Sequence, residues 1–576
     1  MVPALHFHAF SAAFLPFCFV AQLLAPAGAA AVPLGTYKGC AADDGQFKQT
    51  QIWKGPQIGV TAVSNGGLKL AFGTQPDGSV DVYFIQKQGT VKRYNGKTAT
   101  VDSLGTLGVD FMGEYGLVGI GTRDDFARNP WIYLYGSFLE ADGSPTLRLF
   151  RIKLNAAGTA LDMATEKILL KFPRAKSTFH SAGDIQFDAY GDLWLAVGDN
   201  GQTETGPGNT ADLRGNILRI HPDESAQGYS IPKGNFAEVY STYWKGLGKT
   251  DLAAQYADPA KVKPEIYVKG TRNPYTITLD PVRRWLTWGD VGPDQGRVSE
   301  ENNLVKQPYY TGWPYFAGEE DMAGQAPYGP KIPAGSTRAA PVNTLAGAGV
   351  KELPPNREPI LARQQGCALT GPIFRYDGAN PAAAQFPPQV NGKWLVSGCD
   401  GYGYHLLTLD TAGEKIIENV SVFANFRTAT QVDLKQGPDG ALYYVSWALG
   451  IYKIEYAGTC KDPALLPEKT GCADAGSPNY DPKINPAYND PRLCSGAIAI
   501  LPHQGPVPWL RIDAHSVSVA ASGPHAFSLS DAAGKVIYRA SGSGPMTHAL
   551  PSLPAGVYHL RATSALGAAA RVLPRL

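Results

Sequence analysis

Three polar segments of this sequence have residue types and spacings that could carry out chemistry. The first is centred on His180, in STFHSAGDIQF, directly before a strand-like alternating segment. An imidazole titrates near neutral pH, so His180 is a candidate general base. A surface or structural histidine is the alternative interpretation of the same residue.

The second segment is Arg272-Asn273-Pro274, which follows EIYVKGT. Proline forces the residue before it into an extended conformation, so Arg272 and Asn273 belong to a rigid turn. A guanidinium group pairs well with a carboxylate ligand because it donates two parallel hydrogen bonds. The alternative is a structural arginine that donates to loop carbonyls.

The third segment, GDVGPDQGRVSEEN at 289–302, is rich in glycine and in acidic residues. Calcium takes six to eight oxygen ligands, often including backbone carbonyls. The carbonyls of Gly292 and Pro293 could act with carboxylates from Asp290, Asp294, Glu300 or Glu301. The spacing is not that of an EF-hand loop, so this segment predicts an irregular calcium site.

A repeated pattern predicts the elements that position these residues. A turn of Asp, Asn, Gly or Pro precedes a short alternating strand with aromatic residues. Repeats of four-strand size are typical of propellers, so six copies predict an all-β, six-bladed β-propeller, with a large sandwich or barrel as the alternative. In a propeller, function concentrates where loops meet at the mouth of the channel. The copies are 75–89, 127–138, 188–201, 280–292, 391–401 and 437–450.

Composition agrees with a turn-rich β protein. The 576 residues include 65 Gly and 45 Pro, and 44% are hydrophobic, which is enough for a large core. Lys and Arg number 51 against 50 Asp and Glu, a formal charge of +1. That balance argues against sequence-independent binding of nucleic acid, which needs a strongly basic surface.

The N-terminal segment 1–31 has no charged side chain and is mostly apolar from Phe10 to Leu24. It predicts a secretory signal peptide, with a membrane anchor as the alternative. We therefore expect a secreted or periplasmic protein with no membrane span after cleavage. Six cysteines remain and allow 15 connectivities, of which we favour Cys40–Cys460, Cys367–Cys399 and Cys472–Cys494.

The composition changes after Tyr456 and predicts three parts for the mature chain. Residues 32–456 form the propeller, and 457–507 form a Cys- and Pro-rich linker with a small disulfide loop. Residues 508–576 alternate again and predict a small C-terminal β-sandwich. The last segment, LPSLPAGVYHLRATSALGAAARVLPRL, resembles the C-terminal sorting modules of some secreted bacterial proteins, which implies a sorting or binding module.

Seven segments, in order, resemble the soluble quinoprotein glucose/sorbosone dehydrogenase family, over roughly residues 50–456. This resemblance implies a six-bladed propeller that binds pyrroloquinoline quinone (PQQ) and Ca²⁺ above its channel. It also implies oxidation of the C1 hydroxyl of an aldose. The sequence has no CxxCH motif for a c-type haem, so we expect the electron acceptor to be a separate molecule. The segments are GEYGLVGIGTRDDFARNPWIYLYGSF, HSAGDIQFDAYGDLWLAVGDNG, DLRGNILRIHPD, GTRNPYTITLD, GDVGPD…EENNLV, TGWP and DLKQGPDGALYYV.

The resemblance also implies roles for individual residues. His180 matches the general base and Asp199 the acid that orients it, while Arg272 and Asn273 match residues that face the quinone and substrate. On the cofactor side, Glu114 stands where the family has Gln, and Arg427 lies near an arginine that pairs with a PQQ carboxylate. The implied calcium ligands are Gly292, Pro293 and Glu301.

One departure from the family pattern supports other functions. Asp400 stands where PQQ-binding members carry Lys, and a carboxylate there would repel the carboxylates of PQQ. The same fold would also suit a non-catalytic extracellular propeller that binds carbohydrate or protein, similar to hedgehog-interacting proteins. A third hypothesis is a Ca²⁺-dependent hydrolase such as a lactonase, with its ion deep in the channel.

Overall fold

The computed structural model describes residues 30–575 except for a set of short internal segments. The apolar segment 1–29, Asp294, Asp400 and Arg427 lie outside the described residues. The chain divides between Lys469 and Thr470 into two compact units. The segments left out are 57–64, 76, 176, 178, 202–206, 294–299, 319, 322–333, 364–365, 377–384, 400–401, 427–430, 448, 478–479, 491–492, 495–509, 513–515, 521, 531–535, 552–555 and 565–566.

The first unit begins with a short hairpin and a long strand. Strands β1 (Pro33–Tyr37) and β2 (Cys40–Asp43) pair with each other, and β3 (Phe47–Lys54) follows a 3-10 turn at Asp44–Gln46. Strand β3 takes part in no sheet with its neighbours in sequence and pairs instead with a strand more than 390 residues later.

Next come two antiparallel sheets of four strands each, the first two blades of a propeller. In each, consecutive strands are neighbours, and the first strand is almost wholly buried. Their strands are β4 (Gly67–Thr74), β5 (Val80–Gln86), β6 (Thr90–Asn95), β7 (Thr100–Thr106), β8 (Leu117–Gly121), β9 (Trp131–Leu139), β10 (Pro145–Leu154) and β11 (Leu161–Pro173).

The third and fourth blades carry the insertions. Helices α1 (Phe236–Gly246) and α2 (Thr250–Ala257) lie between β15 and β16. The short strands β15 and β20 extend the third blade, and β21 and β22 form a separate two-stranded sheet. The strands are β12 (Ala182–Phe187), β13 (Leu193–Val197), β14 (Asn216–Pro222), β15 (Tyr229–Ser230), β16 (Ile266–Lys269), β17 (Pro274–Leu279), β18 (Leu286–Asp290), β19 (Glu300–Val305), β20 (Tyr309–Tyr310), β21 (Phe316–Ala317), β22 (Glu320–Asp321) and β23 (Leu361–Arg363).

The last two blades complete a six-bladed β-propeller. The sixth sheet has the order β28-β29-β30-β3, so the N-terminal strand β3 is its outer strand. A 3-10 turn at Pro388–Val390 precedes β25. The strands are β24 (Ala368–Ile373), β25 (Trp394–Gly398), β26 (Tyr404–Leu409), β27 (Ile416–Val422), β28 (Gln431–Gln436), β29 (Leu442–Ser446) and β30 (Gly450–Tyr456).

The repeated sequence pattern has a simple structural meaning. Its six copies contain β5, β9, β13, β18, β25 and β29, the second strand of each blade. Helix α1, which begins at Phe236, lies outside this β pattern and was not predicted from the sequence. Its buried residues Phe236, Tyr240 and Trp244 recur every four positions, the spacing of one helical face.

None of the helices in the described residues has the length and apolar character needed to cross a membrane.

The second unit contains two small antiparallel sheets, with strand orders β31-β32-β35 and β34-β33-β36-β37. A separate apolar cluster that includes Val517, Phe527, Leu529 and Leu560 is buried in it. Its role as a sorting or binding module stays a prediction. A 3-10 turn lies at Pro486–Tyr488, and the strands are β31 (Leu510–Ile512), β32 (Ser516–Val519), β33 (Pro524–Ser530), β34 (Val536–Ser543), β35 (Met546–Ala549), β36 (Gly556–Ser564) and β37 (Gly567–Arg575).

The structure contains the three disulfides that we favoured from the sequence. Cys40–Cys460 joins residues 420 positions apart, Cys367–Cys399 spans 32 and Cys472–Cys494 spans 22. The first joins the N-terminal hairpin to the segment after the last blade strand.

Candidate functional site

His180 lies directly before β12, the innermost strand of the third blade, and its ring is bonded to a buried carboxylate. Nδ1 lies 2.5 Å from Asp199 Oδ1, and the Asp199 side chain has no exposed surface. Asp199 follows β13, the strand that pairs with β12, so hairpin geometry brings the two residues together. With Nδ1 committed to Asp199, Nε2 is the ring nitrogen available to take a proton.

Asp199 is itself fixed by two further donors. Trp313 Nε1 donates to Oδ2 at 2.8 Å, and the Gly201 backbone N–H donates to Oδ1 at 2.7 Å. Burial opposes ionisation of Asp199, but the charge and hydrogen bond of His180, with Arg272 nearby, lower its pKa below the ordinary value. An ionised Asp199 accepts the Nδ1 hydrogen of His180, so the lone pair of the imidazole is on Nε2.

The backbone around His180 is held in a conformation that few side chains adopt. Three non-glycine residues have positive φ: His180 (60°), Ala182 (48°) and Asn200 (58°). Each such residue costs on the order of 1–3 kcal/mol, so the surrounding contacts must maintain it. Glu114 Oε2 accepts the His180 N–H at 2.6 Å, and Asn273 Oδ1 accepts the Ala182 N–H at 3.1 Å. Strained backbone of this kind is concentrated at functional sites in proteins.

Arg272 and Asn273 lie in the turn before β17, as the sequence predicted for a rigid X-Pro turn. Both of their backbone N–H groups donate to the Asp290 carboxylate, with Asn273 N at 2.6 Å from Oδ1. Arg272 Nη1 donates to the carbonyls of Val291 and Gly292 at 2.7 and 2.9 Å. The side chain therefore makes the loop-carbonyl contacts of the structural alternative. Arg272 Nε is buried and has no hydrogen-bond partner among the described residues.

Three buried carboxylates surround this loop. Glu300 accepts the N–H groups of Gly292 and Ala368 at 3.1 and 2.7 Å, and Glu301 accepts from Asn303 Nδ2 and the Gly318 N–H. Burial raises the pKa of Asp290, with a further contribution from Glu301, to about 8. Burial also raises the pKa of Glu300 to about 8 and that of Glu301 above its ordinary value.

A small cavity brings four of the nine predicted site residues together with Trp313. Arg272, Gly292, Pro293, Glu301 and Trp313 all line it. Trp313 lines this cavity and also donates a hydrogen bond to Asp199, so it connects the cavity to the His180–Asp199 pair. The described residues contain no group of three or more His, Cys, Asp or Glu side chains arranged around a metal position, so a metal here would need backbone carbonyl ligands.

Two residues that were predicted to contact the cofactor, Glu114 and Arg427, do not line this cavity among the described residues. Glu114 is exposed and contacts the backbone of His180, whereas Arg427 lies outside the described residues. Sequence reasoning did not single out Trp313 or Asn200. Trp313 stands in the quoted TGWP segment, but its contact with Asp199 joins residues 114 positions apart. No local spacing could have indicated that contact.

Comparison with known proteins identifies one family model and several relatives. Residues 69–242 match the family model described as Glucose / Sorbosone dehydrogenase. The chain is 24% identical to quinoprotein glucose dehydrogenase B of Acinetobacter calcoaceticus over 250 residues, which are 41% of this chain and 48% of that protein. It is 23% identical to aldose sugar dehydrogenase YliI of Escherichia coli K12 over 352 residues, 61% of this chain and 79% of that protein.

The chain thus spans about half the length of the Acinetobacter protein. Among solved structures, the crystal structure of the soluble aldose sugar dehydrogenase (Asd) from Escherichia coli in the apo-form has a similar fold. The TM-score is 0.50 at 19% identity, over 71% of this chain and 99% of that one. This likeness supports the propeller fold.

Proposed function

Because the chain belongs to the glucose/sorbosone dehydrogenase family, we propose that it is an exported enzyme that oxidises the C1 hydroxyl of an aldose, with PQQ and Ca²⁺ as cofactors. The observation that carries the proposal is the His180–Asp199 pair, in which the buried carboxylate occupies Nδ1 and leaves Nε2 of the imidazole to act as the base. The three disulfides support export, since such bonds persist in oxidising compartments.

The residues around Gly292 fit a divalent cation. Asp290, Glu300 and Glu301 are all buried, and burial raises the pKa of each carboxyl group. A divalent cation would favour the ionised carboxylates and so offset the effect of burial. The Gly292 carbonyl accepts from Arg272, but a carbonyl oxygen has a second lone pair for a metal. Gly292, Pro293 and Glu301 would hold Ca²⁺, which prefers carbonyl and carboxylate oxygens.

The polar groups near His180 fit a cofactor with several acidic and carbonyl oxygens. The buried, unpartnered Nε of Arg272 is a donor that such a group could use. Glu114, Asn273 and Arg427 are the further residues that would contact PQQ. When bound, PQQ supplies a quinone that accepts a hydride.

The protein's own part in the reaction is to position the sugar and remove a proton. His180 Nε2 takes the proton of the C1 hydroxyl, and the resulting imidazolium is stabilised by the ionised Asp199 at Nδ1. Trp313 and Gly201 keep the Asp199 carboxylate in place, so the ring does not reorient as its charge changes. Arg272 lines the cavity at Gly292 and would orient oxygen atoms of the bound groups.

The proposal is tested by reconstitution of the full chain. PQQ binding is measured by calorimetry with Ca²⁺ and after EGTA treatment, and dye reduction is then followed across a panel of aldoses. We expect PQQ to bind only with Ca²⁺ and at least one aldose to reduce the dye. Failure of PQQ to bind, together with no dye reduction, would contradict the proposal and favour a non-catalytic binding propeller.

A matched pair of variants tests the calcium ligands. Glu301→Gln should raise the Ca²⁺ concentration needed for half-maximal activity at least tenfold, because an amide oxygen is a weaker ligand than a carboxylate. Glu414→Gln serves as the control, since Glu414 pairs with Lys306 and Arg357 at the surface. An equal calcium requirement in the two variants would remove Glu301 from the site.

A further inference from the structure

The second unit contains a group of soft metal-ligand side chains that the proposed dehydrogenase reaction does not use. His525 on β33 and His548 on β35 belong to different sheets, and their Nε2 atoms lie 2.8 Å apart. The rings meet nearly edge-to-face, with an interplanar angle of 77° and centroids 5.1 Å apart. Both imidazoles therefore direct the same nitrogen to one point.

A methionine lies beside this point. Met546 is two positions before His548 on β35, so both side chains are on the same face of that strand. An added Cβ at Gly542 would lie 2.9 Å from both the Met546 Sδ and the His525 Nε2. The sulfur and the nitrogen are thus at most twice that distance apart, and the missing side chain at Gly542 leaves the space between them open.

Not every ring nitrogen of the histidine pair has a hydrogen-bond partner among the described residues. His525 is 4% exposed, and its Nδ1 is buried with no hydrogen-bond partner in the part of the chain that the structure describes. Only one hydrogen fits between two Nε2 atoms at this distance, so at least one of them presents a lone pair. Phe527 packs against the His548 ring at 5.1 Å, so the site has an apolar wall.

The chemical types of these three side chains favour one kind of metal ion. Two imidazoles with a thioether, and no carboxylate or thiolate among the three contacts, are typical of copper and least suited to Ca²⁺ or Mg²⁺. Met546 is 44% exposed, so an ion can enter from solvent without opening the core. We propose that His525, His548 and Met546 form a binding site for one Cu(I) ion.

The test is a Cu(I) titration of the metal-free full chain under anaerobic ascorbate, with bicinchoninate as the coloured competitor. We expect one equivalent to be withdrawn from the competitor. X-ray absorption of the loaded protein should then show one sulfur and two nitrogen neighbours. Met546→Leu and His548→Gln should each weaken binding at least tenfold.

Matched variants keep the result interpretable. Met546→Leu conserves volume at an exposed position and should not disturb folding. Met163→Leu, at a similarly exposed methionine of the propeller, should leave Cu(I) binding unchanged. The proposal is overturned if no Cu(I) is withdrawn, if Met546→Leu binds as tightly as the original chain, or if Zn²⁺ displaces Cu(I). These outcomes are independent of dehydrogenase activity.

Discussion

At His180, separate contacts control the position of the residue and the state of its ring. Glu114 accepts a hydrogen bond from the backbone N–H of His180, and this contact holds the left-handed conformation of that residue. Asp199 accepts a hydrogen bond from Nδ1 of the ring. A substitution at Asp199 should therefore change the chemistry of the ring more than its location.

We expect Asp199→Asn to lower kcat by about 10²–10⁴ with little change in KM, because an amide does not stabilise the imidazolium and permits the wrong tautomer. Steady-state kinetics of the reconstituted enzyme checks this. Asp192→Asn is the control, since Asp192 makes an equivalent contact of 2.8 Å with His221 Nδ1 away from the cavity. Equal losses of kcat in both variants would show a general effect of removing a buried carboxylate.

The buried side chain of Lys269 should make the stability of the protein depend on pH. It is fully buried, and burial lowers its pKa from 10.5 to about 7. The unfolded chain binds this proton up to about pH 10, so the free energy of unfolding rises with pH from 7 towards 10.5. We expect Lys269→Met to stabilise the protein most below pH 7, with a difference that shrinks towards pH 10 in urea titrations. A stability difference that does not vary with pH would contradict this.

The limits of sequence reasoning are clear at the level of residues. The Arg272-Asn273-Pro274 turn was predictable because proline restricts its neighbour locally. The loop-carbonyl contacts of Arg272 and the bond from Trp313 to Asp199 depend on blade packing, which no local spacing encodes. The sequence therefore indicated candidate groups, and the fold decided their partners.

At the level of elements, the innermost strands of the propeller share a buried group of four charges. Lys435 Nζ on β28 bonds Asp184 on β12 at 2.8 Å, and Lys69 on β4 bonds the Tyr275 carbonyl at 2.6 Å. Asp433 lies 3.7–3.8 Å from both lysines. Two positive and two negative groups thus join strands from different blades near the channel.

Removing one of these charges should lower the free energy of unfolding. We expect Lys435→Met to lower the free energy of unfolding by about 3–5 kcal/mol, because Asp184 would keep a buried, uncompensated charge. The double variant Lys435→Met with Asp184→Asn should recover part of this loss, since an amide oxygen can still accept from the Ile277 N–H. Urea unfolding measures both, and a double variant less stable than the single one would contradict the reasoning.

The six second strands were the most predictable elements, because each combines a local turn with period-two alternation and aromatic residues. Helix α1 was missed, since its apolar spacing covers only three turns within a β-rich sequence. The pairing of β3 with β30 also has no local signal, because partners such as Gln49 and Ile454 are about 400 residues apart.

At the level of the whole molecule, the N-terminus completes the propeller. Strand β3 pairs with β30 from Phe47 to Lys54, and the Cys40–Cys460 disulfide joins the segments next to these two strands. A cross-link that closes such a long loop mainly restricts the unfolded chain.

We expect Cys40→Ser with Cys460→Ser to lower the free energy of unfolding of the propeller by about 2–5 kcal/mol. Calorimetry should show a lower Tm for that transition. The matched control is Cys472→Ser with Cys494→Ser, which opens a loop of 22 residues in the other unit and should leave the propeller transition unchanged. Identical shifts from both pairs would argue against ring closure as the role of the first disulfide.

The central claim is that His180 removes the proton from an aldose. It is tested most directly by comparing His180→Gln with His221→Gln in the PQQ- and Ca²⁺-loaded protein, with the aldose-dependent rate of dye reduction as the readout. Both rings bond a buried aspartate through Nδ1, so the variants remove similar contacts. We predict that His180→Gln loses at least 10²-fold in kcat while His221→Gln stays within twofold. Retention of full activity by His180→Gln, or an equal loss in both, would contradict the account.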